Sequence, residues 1–332
     1  MSTGAEIDGV LVQWGERLFY PRSRIVRSGS TPRLSGSVGQ RAAAVRRRIE
    51  ATVLRRAPQV MVKVTGGGRG MAAIAAHFRY ISKSGRLPFE DDRGVVREGK
   101  EALHDLADQW RHGGSFIDET SHRREAFNIM LSMPSGTDPL IVQRAAREFA
   151  QAELADHRYV MVLHDHQANP HVHISVRAES RLGERLNPRK GDLHRWRETF
   201  AEKLRGWGID ADATRQRTRG QVRHYEPIWR VKAAEEGRLK TPVRTKKSGE
   251  GIDKDRAIAA QAWTRIVECL SGSDSARDRL LGLYVDRFFS GTFTADSTRR
   301  LEPGTELERS AQPVHQTLKL VPRDREGPEI PR

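Results

Sequence analysis

The sequence has little that would place it in a membrane or in an oxidising compartment. Cys269 is the only cysteine among 332 residues, so no internal disulfide can form, and a reducing cytoplasm is the expected location. No apolar run reaches the roughly 20 residues needed to span a bilayer. The first residues lack the basic-then-apolar pattern of a secretory signal. These absences predict a cytoplasmic protein with no membrane segment.

Acidic residues and aromatic rings are also scarce. Asp and Glu number 43 against 58 Lys and Arg, which gives a net charge of +15 and a pI of about 10.4. Such an excess indicates a polyanionic partner, most often nucleic acid, with an anionic membrane surface as the other candidate. Aromatic residues make up 6% and hydrophobic residues 37% of the chain. A good part of the chain is therefore predicted to be arm and tail rather than core.

Composition divides the chain into five segments. Residues 1–55 are predicted to be a basic N-terminal arm, mostly disordered, in which residues 40–56 are a candidate helix. Residues 56–228 form the predicted folded domain and 229–255 a basic linker. Residues 256–290 are predicted to form a helical segment, and 291–332 a disordered tail.

The helical segment is too small for a core of its own. We expect its two helices, at residues 256–270 and 276–289, to pair with each other, with a second copy or with another protein. Their apolar side chains are Trp263, Ile266 and Leu270 in the first helix, and Leu280, Leu283, Tyr284 and Phe288 in the second.

Within residues 56–228, strand patterns alternate with helix patterns. The glycines of residues 66–70 match no phosphate-binding loop, and they predict only a tight turn from strand to helix. The strands are predicted at residues 59–65, 126–133, 159–163 and 171–176. The helices are predicted at residues 71–83, 100–110, 139–155 and from about 192. The third is predicted to start with Asp138 as N-cap and Pro139 at the first helical position, and to bury Leu140, Phe149 and Leu154.

The most informative stretch runs from Leu163 to Val176. His171 and His173 alternate there with aliphatic residues, and side chains two apart in a strand share a face. The histidines therefore point one way and the aliphatic residues point into a core. His164 ends the preceding apolar run, and residues 165–170 have the length of a hairpin loop. If the hairpin closes in this way, His164 lies beside the His171–His173 pair.

Three neutral imidazoles on one face of a sheet can bind a divalent cation and leave coordination positions open for a substrate or water. The alternative is that they are surface histidines on a half-buried sheet. Asp165 and His166 are candidates for further ligands or for partners that orient a ring. Nitrogen ligands favour Zn²⁺, Mn²⁺ or Ni²⁺.

Tyr80 occupies an unusual place on the helix predicted at residues 71–83. The buried stripe of that helix is Ile74, Phe78 and Ile81. Tyr80 lies about 120° from the centre of the stripe, on the flank that carries His77. Its hydroxyl is therefore presented outside the core. The alternative is a tyrosine that packs its ring at the flank and hydrates its tip.

Basic residues near these elements are candidates for phosphate contacts. Trp196, in contrast, is predicted to be a core residue rather than a platform for stacked bases. The candidate DNA-binding residues are Arg79, Lys83, Arg86, Arg185, Arg189, Lys190 and Arg195.

Three blocks of sequence, in this order, resemble the conjugative relaxases, and most closely their Vir-type branch. They are H-F-R-Y-I-S-K-S-G-R-L, A-F-N-I-M-L-S-M-P-S-G-T-D and H-D-H-Q-A-N-P-H-V-H-I-S-V. The resemblance covers about residues 60–225. It implies an α+β fold, with an antiparallel sheet of about five strands flanked by helices, as in nucleases that use a His-hydrophobic-His pair.

The resemblance also assigns roles to residues. Tyr80 occupies the position of the family nucleophile, and His164, His171 and His173 occupy that of the metal-binding motif. His166 stands where family members often have Asp, which leaves the partners of the metal ligands open. The metal implied by the family is Mg²⁺ or Mn²⁺, and Zn²⁺ is not excluded.

The implied reaction is the nicking of one DNA strand at the transfer origin of a plasmid or integrative element. Tyrosine attack leaves a 5′-phosphotyrosine adduct, and the strand is later rejoined. The implied partners are single-stranded DNA, relaxosome accessory proteins and a type IV secretion coupling protein. Export with the DNA makes residues 291–332 a candidate export signal. Two alternatives remain open: a rolling-circle replication initiator, and a DNA-binding accessory protein or repressor that no longer cuts.

Overall fold

The computed structural model describes residues 4–20, 36–219, 237 and 250–294. These residues form two units that pack on each other. One is a β-sheet with helices on both faces, here called the sheet unit. The other is a group of four helices from the two ends of the chain, here called the helical cluster. Most of the predicted linker and tail lies outside the described residues.

Six strands form one antiparallel sheet in the order β1-β4-β6-β5-β2-β3. The fold is therefore α+β, as predicted, with one strand more than expected because a two-residue strand pairs at one edge. The strands are β1 Met61–Gly66, β2 Phe89–Asp91, β3 Val96–Arg97, β4 Ala126–Ser132, β5 Tyr159–His164 and β6 His171–Arg177.

Helices cover both faces of the sheet. Two helices, α1 Gly4–Phe19 and α2 Val38–Val53, precede the sheet unit in the chain. The helices of the sheet unit are α3 Met71–Ile81, α4 Lys100–His112, α5 Pro139–Glu153 and α6 Lys190–Gly206. Apolar side chains of α5 and α6 pack on one face with Val172, Ile174 and Val176, which are fully buried. Those of α3 and α4 pack on the other face. Because side chains alternate along a strand, His171 and His173 lie on the α3 side.

The capping signals of α5 predict its start correctly. Asp138 is the N-cap residue, and its side chain accepts a hydrogen bond from the backbone N–H of Leu140 at 2.8 Å. Pro139 takes the first helical position, where its missing N–H costs nothing. The expected burial of Leu140 is wrong: it lies in the first turn and is 59% exposed. Phe149, Leu154 and Trp196 are buried as predicted.

The helical cluster consists of α1 Gly4–Phe19, α2 Val38–Val53, α7 Glu250–Ser271 and α8 Ala276–Phe289. Its core contains Leu11, Ile49, Trp263 and Leu281, each at most 4% exposed. The expectation of a mostly disordered arm is therefore wrong for residues 4–20, whereas the candidate helix at residues 40–56 is borne out by α2. The C-terminal helices pair with each other, and their further partner is the N-terminal region of the same chain.

Charge pairing explains why the arm prediction failed. Basic residues that lower the hydrophobicity of this region meet carboxylates from distant parts of the sequence. Arg46 donates to Asp8 at 2.7 Å and to Asp278 at 2.7 Å, and Arg41 donates to Glu16 at 2.6 Å. A composition argument counts the charges but does not show their partners.

The apolar stripe expected for α8 also differs. Leu280, Leu283 and Tyr284 are 53%, 67% and 43% exposed, whereas Leu281 and Val285 are buried. The helix is apolar around much of its circumference, so periodicity alone does not identify the buried side.

Candidate metal centre and nucleophile

The β5–β6 hairpin brings three imidazoles together. His164 lies opposite His171 in the strand register, and His173 follows two residues later on the same face. The ring centroids are 4.7–5.0 Å apart. One ring nitrogen from each residue lies within 4.8 Å of the other two. Small ring rotations would bring the three nitrogens onto one ion, so the three histidines could hold a metal.

The backbone fixes the tautomers of two rings. His164 Nε2 lies 2.6 Å from the carbonyl oxygen of Ile81, and His171 Nδ1 lies 2.9 Å from that of Asn169. A carbonyl oxygen only accepts, so each of these nitrogens carries the proton. His164 Nδ1 and His171 Nε2 are left with lone pairs. His173 Nδ1 is buried with no hydrogen-bond partner among the described residues. This donor set fits a cation whose ligands are oriented from behind by carbonyl groups.

Burial also keeps the rings of His164 and His173 neutral. Desolvation lowers the pKa of His164 below its usual value, and the hydrogen bond to Ile81 opposes part of that effect. Burial, with the neighbouring histidines, lowers the pKa of His173 to about 3. Neutral imidazoles can bind a metal ion without first losing a proton. Near neutral pH, these two rings are therefore ready to act as ligands.

Tyr80 stands at the edge of this group. Its ring centroid lies 6.5 Å from that of His173, and the side chain is 71% exposed. The flank position predicted from the helical period therefore places the phenol beside the triad and open to solvent.

The two ends of α3 hold Tyr80 in place. Gly70, at the start, has a φ of 95°, and a Cβ there would clash with the Glu119 carbonyl. This close approach lets Met71 N–H donate to Asp118 O at 2.9 Å. At the other end, the carbonyl that follows Tyr80 in the chain, that of Ile81, accepts the proton of His164. The helix that carries the phenol is thus hydrogen-bonded to one of the candidate ligands.

Two residues near Tyr80 were not singled out as functional from the sequence. Ser82 is fully buried, and its hydroxyl donates to Phe78 O at 2.7 Å and accepts from Gly85 N at 3.0 Å. His77 lies 6.2 Å from the Tyr80 ring and 6.4 Å from the His173 ring. Burial lowers the pKa of His77 to about 4. Its position one helical turn before Tyr80 could have identified it from the sequence.

Asp165 and His166 lie in the exposed hairpin loop. The His166 ring is 5.2 Å from His164, yet neither residue belongs to the group of converging ligand atoms. A role as a partner of the ligands therefore stays a prediction for both.

The candidate DNA-binding residues fall into two groups. Arg79 and Arg86 are exposed close to Tyr80, and Lys83 is half-buried there. Arg189 and Lys190 are exposed at the start of α6, which packs on the other face of the sheet. Two members are already paired: Arg185 with Glu125 and Glu179, and Arg195 with Glu153 and Asp192. The paired arginines have structural partners that would compete with phosphate.

Part of the sheet unit is similar to known proteins. Residues 92–209 match the family model of the MobA/VirD2-like relaxase nuclease domain. The chain is also similar to the T-DNA border endonuclease VirD2 of Rhizobium radiobacter, with 24% identity over 182 residues. That alignment covers 49% of this chain and 43% of the relative, so the chain spans less than half of the relative's length.

The resemblance to the Vir-type relaxases inferred from the motifs is therefore confirmed. The matched segment contains the three histidines, whereas Tyr80 precedes it. Among the described residues, no helix is long and apolar enough to cross a membrane.

Proposed function

We propose, from this similarity, that the chain is a DNA relaxase that nicks one strand at the transfer origin of a plasmid or integrative element. Tyr80 is the proposed nucleophile, and His164, His171 and His173 are the proposed metal ligands. The observation that carries the proposal is the position of Tyr80: an exposed phenol 6.5 Å from a ring of the triad.

The proposed reaction is a transfer of the scissile phosphate. The Tyr80 oxygen bonds to phosphorus, the bond from phosphorus to the 3′ oxygen breaks, and that oxygen leaves with a proton as a 3′-hydroxyl. The phenol proton passes to solvent. The 5′-phosphotyrosine preserves the phosphodiester bond, so a 3′-hydroxyl can later attack it and rejoin the strand. The chain therefore needs to place the phenol and the phosphate in line.

A phenol ionises near pH 10 and is a poor nucleophile at neutral pH without assistance. A divalent cation bound by the three imidazoles would polarise the non-bridging phosphate oxygens and offset their charge in the transition state. Mg²⁺ or Mn²⁺ follows from family resemblance, and nitrogen ligands also suit Zn²⁺. Ile81 and Asn169 hold two of the rings in the tautomers that such a cation requires.

The proposed substrate is single-stranded DNA, and the net charge of +15 supports a polyanion. Arg79, Lys83 and Arg86 lie closest to Tyr80 along the chain and are the proposed contacts near the cut. Accessory proteins of the relaxosome and a type IV coupling protein are proposed partners. The cytoplasm is the proposed location before export with the DNA.

Replacing Tyr80 with Phe tests the proposal. The protein is incubated with Mn²⁺ and a labelled single strand that carries the cognate origin, and the adduct is resolved on a denaturing gel. We expect the wild type to form a covalent adduct and Tyr80→Phe to form none. Tyr284→Phe is the matched control, because Tyr284 is an exposed tyrosine in the helical cluster, 43% accessible. No adduct from the wild type on its proper sequence would favour the non-cutting repressor.

Removing the metal separates cutting from binding. A chelator should abolish adduct formation and leave salt-sensitive DNA binding in place, because most of that binding energy comes from phosphate contacts. Equal loss of both activities would contradict a catalytic role for the cation.

A further inference from the structure

A second group of polar side chains, one buried and three half-buried, lies where the helical cluster meets the sheet unit. Arg48 comes from α2, His194 and Arg197 from α6, and Arg215 from the segment after β6 and α6. The group sits on the side of the sheet covered by α6, whereas the histidine triad lies on the α3 side. It is therefore separate from the candidate metal centre.

Contacts across the interface define the group. Tyr20, at the end of α1, places its ring 5.7 Å from that of His194, and the Arg48 guanidinium lies 4.8 Å from the Tyr20 ring centroid. Arg48 also donates to Glu198, one turn after His194 on α6. Both units of the molecule thus supply walls of the site.

Several nitrogens of the group have no partner. His194 is 1% exposed, and neither of its ring nitrogens has a hydrogen-bond partner among the described residues. The same holds for Arg48 Nη1 and Arg197 Nε. Glu198 Oε1 is also unpaired, so the set includes one orphan acceptor. Buried polar atoms usually find partners, and a cluster of orphan nitrogens at one place indicates a missing acceptor.

The charges around His194 also indicate an anion-binding site. Burial, and then the positive charges of Arg215, Arg197 and Arg48, lower the pKa of His194 to about 3. Burial and the charge of Arg215 lower the pKa of Arg197 to about 10. Glu198 is the only carboxylate that hydrogen-bonds to Arg48 among the described residues, and nearby Asp212 is paired with Arg219 at 2.5 Å. Positive charge is in excess here.

We propose that this interface is a binding site for a phosphate group, held by Arg48, His194 and Arg197. A tetrahedral oxyanion accepts hydrogen bonds from several directions and matches the donor geometry of guanidinium groups. A neutral imidazole offers one N–H in either tautomer. The phosphate would come from a nucleic-acid backbone or from free phosphate, which have the same recognition chemistry.

Thermal unfolding in phosphate tests the site. The melting temperature of the full chain is measured against phosphate concentration, with chloride at equal ionic strength as reference. We expect a saturable rise for the wild type, and for Arg197→Gln a half-saturating concentration at least tenfold higher. Lys203→Gln is the matched control: Lys203 is on the same helix, and its ammonium group is paired with Glu202. It should respond to phosphate as the wild type does.

No phosphate-specific rise in the wild type, or an unchanged response in Arg197→Gln, would overturn the proposal. Arg197→Gln removes a half-buried cation whose Nε has no hydrogen-bond partner among the described residues, so we expect it to fold. If it does not, Arg197→Lys keeps the charge without the Nε donor, and the same loss of phosphate response is expected.

Salt titration of binding to a single-stranded oligonucleotide identifies the source. If the site takes a backbone phosphate, Arg197→Gln should reduce the slope of log affinity against log salt by about 0.7, the value for one phosphate contact on single strands. If it takes free phosphate, the slope stays the same and only the melting response is lost. Neither measurement depends on nicking, so a failure of the Tyr80 test would leave this proposal standing.

Discussion

The sheet unit and the helical cluster differ in how far apart in the sequence their characteristic residues lie. The candidate metal ligands of the sheet unit lie within one hairpin, in the ten residues from His164 to His173. The helical cluster joins parts of the chain that are far apart, as in the ion pair between Arg46 and Asp278. A local sequence pattern was enough to predict the candidate metal ligands. The helical cluster, in contrast, forms only through contacts between residues that are far apart in the sequence.

The largest effect is expected at the candidate metal centre of the sheet unit. His173→Ala removes one proposed ligand, and we expect the rate of adduct formation with Mn²⁺ to fall by about 10²–10³-fold or more, since the bound cation contributes several kcal/mol. Affinity for single-stranded DNA should change little. His104→Ala is the control, because that side chain is 79% exposed on α4. An adduct rate within a few-fold of the wild type would contradict the triad as a metal centre.

The second test compares the cores of the two units. Trp263→Ala removes a fully buried ring whose Nε1 donates to Thr218 O at 2.7 Å, and it should cost about 3–5 kcal/mol. Trp196→Ala, in the core of the sheet unit, should cost a similar amount. We expect nicking at moderate temperature to survive the first change better than the second. Chemical denaturation gives the free energies. Equal loss of nicking would show that the sheet unit needs the helical cluster to fold.

A smaller effect concerns pH at the interface between the units. The pKa of His194 is about 3 in the folded protein, against about 6.5 in an unfolded chain. The unfolded state therefore binds more protons between these values, and stability present above pH 6.5 is lost as pH falls toward 3. The loss is at most about 1.4 kcal/mol per pH unit.

Replacing His194 with Phe should reduce this acid sensitivity. The pKa values of His77 and His173 are lowered in the same direction, so part of the sensitivity should remain in the variant. Denaturation curves at pH 7.5 and pH 5 measure the difference. The same pH dependence in His194→Phe and the wild type would exclude His194 as a contributor.

The smallest effect sharpens the assignment of the buried side of α8. Leu283 is 67% exposed, so Leu283→Ala should change the free energy of unfolding by no more than about 0.5 kcal/mol. Leu281→Ala, two residues away and 4% exposed, should cost about 2–5 kcal/mol. Similar costs for the two variants would support the stripe expected from the sequence.

Several features of the site were predictable because they depend on local geometry. The period of α3 placed Tyr80 off the buried stripe, and the period of β6 placed its two histidines together. Ser82 and the Ile81 carbonyl were not predictable in the same way. Their roles depend on which strand the end of α3 contacts, and no local sequence pattern predicts the contact with His164 of β5.

The sequence by itself determined the alternation of the hairpin, the flank position of Tyr80 and the excess of positive charge. Each depends on near neighbours in the chain or on composition alone. Tertiary structure alone decided the partners: the carboxylates that pair with the arginines of α2, the carbonyl groups that set the tautomers of His164 and His171, and the crowding of cations around His194. Hydrogen bonds and charge pairs act over a few ångströms of space, however many residues separate their members, so only the folded chain shows them.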